Sequence, residues 1–95
     1  MLFRSPEERK LKAKSRFCAG RALLIENRLL EGETALRESV SIDPEGPYSH
    51  NALGIAYKKL GRFEEAIDCY RQALAMRPDF VVALGNLGNA LVELD

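Results

Sequence analysis

The 95 residues include one histidine, two cysteines and no tryptophan. A single histidine cannot form a zinc-binding histidine cluster, and no nucleophile is supplied with a base beside it. Cys18 and Cys69 stand 51 positions apart, outside any Cys-x-x-Cys spacing, and are too few for a disulfide scaffold. No apolar run approaches the roughly 18 residues of a membrane span. The opening "MLFRSPEERK" lacks the apolar core of a secretory signal. Fourteen basic residues balance fourteen acidic ones, which argues against a wholly basic nucleic-acid binder or a wholly acidic, solvated chain. Gly85-Asn86-Leu87-Gly88 is followed by no lysine and does not have the form of a phosphate loop. Glu64-Glu65 falls on a helix's first turn, where carboxylates favour the dipole. These gaps predict a chain that is not an enzyme and needs no cofactor or metal. Free thiols without disulfide support predict a cytoplasmic setting.

What the chain does contain is a period. Gly20, Gly54 and Gly88 are spaced by 34 residues, as are Pro44 and Pro78. Ala22, Ala56 and Ala90 keep the same step, and so do Leu23, Tyr57 and Leu91. The period divides the chain into a lead-in over 1–12, units over 13–46 and 47–80, and a half unit over 81–95. Each full unit reads as two helices. Those of the first unit are expected at about 6–26 and 29–41, and those of the second at 47–60 and 63–76, with a fifth helix over 80–94. Ser5-Pro6-Glu7-Glu8 is a capping box. Gly61 is expected to end the third helix in a left-handed conformation, and Asp79 to cap the fifth. His50, Leu53, Tyr57 and Leu60 form the predicted core stripe of the third helix. Phe63, Ala66, Ile67, Tyr70, Ala73 and Leu74 form that of the fourth.

Gly54 sits inside an apolar helical stripe, where glycine costs about 1 kcal/mol relative to alanine. The expected compensation is close approach of two helices at Gly54 and Ala66, with Tyr57, Phe63 and Tyr70 filling the space around them. His50 and Cys69 are expected as packing residues, and Cys18 as a packing or groove-facing residue.

These residues resemble a tetratricopeptide repeat, whose 34-residue pattern runs Trp-x-x-Leu-Gly-x-x-Tyr, then Ala-x-x-x-Phe, then Ala, then Pro. The second unit matches with Leu53, Gly54, Tyr57, Ala66, Tyr70, Ala73 and Pro78, while His50 replaces the tryptophan. The half unit matches with Leu84, Leu87, Gly88 and Leu91. The first unit is degenerate, with Arg16 in the tryptophan place and Gly32 and Ser39 where alanines are expected. The resemblance implies an all-α, right-handed superhelix of antiparallel helix pairs, five helices here, whose first helices line a concave groove that holds peptides or proteins.

Carrying the family's inner positions across puts Lys14, Phe17, Arg21, Tyr48, Asn51, Ile55, Lys58, Asn86 and Asn89 in that groove. Lys10 extends the line. The resemblance also implies that the clamp some members use on acidic chaperone tails is absent, since Phe17, Arg21, Ala52, Val82 and Asn86 hold its places. A second expectation concerns the last helix. Val81, Leu84, Leu87, Leu91 and Leu94 would form an uncovered apolar face, satisfied by self-association or by a longer repeat array. A third, weaker reading is nucleic-acid contact through the N-terminal helix. There, Arg9, Lys12 and Arg16 form one stripe and Lys10, Lys14 and Arg21 another.

Overall fold

A computed structural model describes residues 3–94. Met1 and Leu2 of the lead-in and Asp95 of the half unit lie outside the described residues. Five helices follow one another: α1 (Pro6–Ile25), α2 (Leu29–Ile42), α3 (Pro47–Lys59), α4 (Phe63–Met76) and α5 (Val81–Leu94). The described residues contain no strand. Each helix packs chiefly on its sequence neighbour, while α1 touches α3 and α3 touches α5. The odd-numbered helices therefore line one side of a helix-pair solenoid.

Local chemistry explains the boundaries. Ser5 caps α1, its hydroxyl accepting from the Glu8 amide at 3.2 Å, and the Glu8 carboxylate reaches back to the Arg4 amide. Pro6 and Pro47 open α1 and α3, where a missing N–H leaves nothing unsatisfied. Gly61 takes φ +81° and ends α3, with the Arg62 amide returning to the Tyr57 carbonyl. Asn27, 34 residues earlier, takes φ 62° and closes α1 with the same pair of reverse bonds. Asparagine tolerates that region better than most side-chain-bearing residues. Asp79 does not cap α5. Its carboxylate is held by Arg77 Nε at 3.3 Å, and α5 begins at Val81 with the Leu84 amide on the Phe80 carbonyl.

The core runs the length of the stack. Leu24, Leu36, Leu53 and Cys69 join the first pair to the second. Ala66, Ile67, Tyr70 and Ala90 join α4 to α5. Tyr70 and Leu36 are completely buried, each burial contributing on the order of 1.5–3 kcal/mol.

Helix approach depends on glycine at three places. A Cβ at Gly54 would lie 2.5 Å from Tyr70 Cε1, so it is the Tyr70 ring that occupies the space glycine leaves. A Cβ at Gly20 would lie 2.5 Å from Leu36 Cγ, and one at Gly32 would lie 2.8 Å from Leu24 Cδ2. The degenerate Gly32 is thus a second point of close approach between α1 and α2.

The predicted single stripe of α3 is too narrow. Ser49, Asn51, Ala52 and Ala56 are buried alongside His50, Leu53 and Gly54, whereas Tyr57 and Leu60 are only half-buried. α3 is the central helix and touches every other one, so most of its circumference is covered.

Candidate functional site: the face of α1, α3 and α5

The inner face carries three hollows. The first, about 370 Å³, lies between α1 and the start of α3, with Lys10, Lys14, Phe17 and Tyr48 on its walls and Asp43 and Glu45 at one edge. The second, about 200 Å³, is bounded by Arg21, Leu24, Ala52, Ile55 and Lys59. The third, about 410 Å³, lies between α3 and α5 and is lined by Ile55, Lys58, Lys59, Phe63, Asn86 and Glu93. Ile55 borders both the second and the third hollow.

The predicted groove residues are distributed unevenly among these hollows. Lys14, Phe17 and Tyr48 share the first, Arg21 and Ile55 the second, and Ile55, Lys58 and Asn86 the third. Asn89 is exposed on α5 and lines none of the three. Asn51 is buried and is not open to a peptide. It accepts from Asn86 Nδ2 at 3.0 Å, and that bond joins α3 to α5. Among the described residues the Asn86 carbonyl oxygen has no donor, and it can accept from one. Arg21 lies over the Phe17 ring at 5.7 Å, which holds the guanidinium along the α1 surface. Tyr48 is half-exposed, packs edge-on against Phe80 and bonds Arg77 through its hydroxyl.

Charge on this face is unbalanced. Lys10, Lys14, Arg21, Lys58 and Lys59 take part in no ion pair within the described residues, where the pairs run from Arg28, Arg37, Arg62 and Arg77. Three carboxylates, Asp43, Glu45 and Glu93, oppose these five cations. The sequence reading missed Glu93. It stands 34 residues after Lys59, which lines the same hollow, so the period relates the two positions.

The basic stripe of α1 is partly structural. Arg9 Nη1 donates to the Ile42 carbonyl at 3.0 Å, holding the C-terminal end of α2. Arg16 is half-buried, and Lys12 and Arg16 line a depression against α2 with Arg37 and Glu38.

The thiols differ. Cys69 is buried, and burial pushes its thiol up to about 12, so it is protonated and inert near neutrality. Cys18 is exposed rather than packed. His50 is buried and its Nε2 lies 2.8 Å from the Pro44 carbonyl. A carbonyl can only accept, so Nε2 carries the proton. The residue that replaces the family's tryptophan thereby ties the unit junction to α3. Among the described residues no three His, Cys, Asp or Glu side chains come together as a metal site would need, and no helix is long and apolar enough to cross a membrane.

On α5, Val81, Leu84, Leu91 and Leu94 are exposed. Leu87 is not part of that face, because it packs half-buried against the cluster of Ala66, Ile67, Tyr70 and Ala90.

A solenoid of helix pairs with a groove on one side is the class that this geometry defines. Residues 47–80 match the family model of the tetratricopeptide repeat. The second unit is a tetratricopeptide repeat, and the five helices carry the fold of tetratricopeptide-repeat proteins. Such domains commonly serve as protein–protein interaction modules. Among curated proteins, the chain is 36% identical over 58 residues to a peroxisomal targeting signal receptor of Candida albicans, covering 61% of this chain and 10% of the receptor. It is 44% identical over 41 residues to anaphase-promoting complex subunit 6 of Dictyostelium discoideum, covering 43% of this chain and 5% of the subunit. The chain therefore spans a tenth or less of either relative. Among solved structures, the first TPR of Spaghetti bound to HSP90 peptide SRMEEVD superposes with TM-score 0.88 at 21% identity, over 90% of this chain and 68% of that one. MamA superposes with TM-score 0.81 at 21% identity, over 85% of this chain and 47% of that one. At that identity the likeness concerns the fold.

Proposed function

We propose that this chain is a non-catalytic protein-interaction module that holds an extended, acidic peptide segment along the face of α1, α3 and α5. The observation that carries this reading is the row of three hollows bordered by Lys10, Lys14, Arg21, Lys58 and Lys59, none of which is held in an ion pair within the described residues. Lysine and arginine left in this state can meet side-chain or terminal carboxylates, and Phe17 and Ile55 offer apolar contact between them. Spaghetti's repeat is bound to a peptide containing two glutamates and an aspartate, which supports the peptide chemistry. The clamp positions of this chain, Phe17, Ala52 and Val82 among them, argue for a different register. The free thiols fit a cytoplasmic setting.

A cellulose-bound array of acidic and matched neutral hexapeptides, overlaid with the chain, tests the reading. Acidic spots are expected to retain the protein and to lose it when Lys14, Arg21 and Lys58 are together replaced by alanine. Equal retention of neutral spots, or retention by the triple variant, would refute it.

A second reading, association through α5, is favoured by the exposure of Val81, Leu84 and Leu91 on one face. Nucleic-acid contact through α1 has less support, since Arg9 is committed to the end of α2.

A further inference from the structure

The two hollows that Ile55 borders stand one repeat apart: Arg21, Ala52 and Lys59 line the second where Ile55, Asn86 and Glu93 line the third. Their chemistry differs. The third, between α3 and α5, is also lined by Tyr70 of α4. That side chain is completely buried, and its hydroxyl oxygen has no hydrogen-bond partner among the described residues. Packing accounts for the ring, which fills the notch at Gly54. It does not account for the hydroxyl, since phenylalanine, the residue of the family pattern, has the same ring. A buried hydroxyl without a partner costs free energy, so an orphan at the wall of a hollow points to a ligand atom. Asn86 is also incompletely satisfied, since it donates to Asn51 and its carbonyl oxygen has no donor. Thirty-four residues earlier, Leu36 and Ala52 stand in the places of Tyr70 and Asn86, so the second hollow carries neither group.

We infer that the third hollow is the specificity pocket of the groove and takes one glutamate side chain of the bound peptide, its carboxylate accepting from the Tyr70 hydroxyl. This rests on the reading of the groove as a site for acidic peptides, and names the side chain it selects. Charge selects the anion. Lys58 and Lys59 are held in no ion pair among the described residues, and the one carboxylate opposing them here is Glu93. Depth selects the length. Tyr70 is completely buried, Ile55 and Phe63 are half-buried, and Lys59 and Glu93 are exposed, so the phenol lies at the floor and those charges at the rim. A carboxylate that reaches the floor must pass the two apolar side chains, and glutamate has one methylene more than aspartate to bury there. The bond it then makes is a strong one, because the acceptor is ionised. The peptide amide beside that side chain can donate to the free Asn86 oxygen.

Fluorescein-labelled, C-terminally amidated hexapeptides supply the test. One is aspartate throughout, and in a companion series glutamate replaces aspartate at each position in turn. Each is titrated with the full chain and followed by anisotropy. The all-aspartate peptide reports the charge of the groove alone. Glutamate is expected to tighten binding about tenfold at one or more positions. Tyr70→Phe should erase that gain and leave the all-aspartate peptide bound as before. The same variant should melt no lower than the parent, because the hydroxyl it removes has no partner in the free chain. Binding of the all-aspartate peptide with no gain from glutamate, or a gain that survives in Tyr70→Phe, would overturn the inference and leave the groove reading standing. A lower melting temperature for Tyr70→Phe would show the hydroxyl already satisfied within the chain, and would overturn it too. If no peptide binds, the groove reading fails and this inference with it.

Discussion

Cys69 and Tyr70 are neighbours in the core, and burial, the largest cause in each case, pushes both to about 12 from 9.0 and 10.0. An acid whose folded-state value is raised stabilises fully below its unfolded value and loses that contribution as pH rises toward the folded one. Above pH 9 the unfolded chain sheds the Cys69 proton while the folded chain keeps it. Stability should therefore fall by up to about 1.4 kcal/mol per pH unit through this group, with Tyr70 adding above pH 10. Urea midpoints at pH 8, 9 and 10 should show the decline, and Cys69→Ala should flatten it between pH 9 and 10. An unchanged slope in that variant would refute the assignment. At this scale the sequence was legible for Cys69 and His50 as packed residues. It was not legible for Cys18, because the period places a side chain on a helix without saying how far the neighbouring helix reaches.

At the scale of elements, boundaries follow from local chemistry and were largely readable: Ser5, Pro6, Pro47 and Gly61 each act where the pattern puts them. The error at Asp79 has a local cause too, since Arg77 two residues away competes for the carboxylate. Pair packing is where glycine matters. Gly54→Ala would gain roughly 1 kcal/mol of helix propensity but force a Cβ to 2.5 Å from the Tyr70 ring. Overpacking costs of about 1–3 kcal/mol should win, and thermal unfolding should show a net loss of stability. A rise in melting temperature would mean that the ring moves aside freely.

For the whole molecule, the junction between units is polar as well as apolar. Ser39 Oγ donates to the Ala13 carbonyl at 2.8 Å and lies 2.9 Å from Ser49 Oγ, so one buried hydroxyl joins α1, α2 and α3. Because the carbonyl takes the Ser39 proton, Ser49 is the donor to Ser39. Ser39→Ala would restore the family's expected residue yet leave Ser49 without that partner, at a cost of about 1–2 kcal/mol. Chemical denaturation checks this, and a neutral outcome would show that the bond contributes nothing net. Glu33 makes a second tie. It is buried in α2 between Arg37 at 3.2 Å and Arg62 at 3.5 Å, and Arg62 also stacks on Tyr57 and pairs with Glu65. Neither tie was visible in the period, because both join residues at unrelated repeat positions.

The sequence by itself determined the helix pairs, their 34-residue spacing and the close approach at Gly54. These depend on local propensity and on which residues recur, and both are written along one dimension. Only the tertiary structure decided that Asn51 is bonded to Asn86 and withdrawn from the groove, that Leu87 faces the core while Leu84 and Leu91 face out, and that Arg9 is committed to α2. Each of these depends on how far one helix is turned against its neighbour. A rotation of a few tens of degrees moves a side chain from contact to solvent, and no spacing along the chain specifies it.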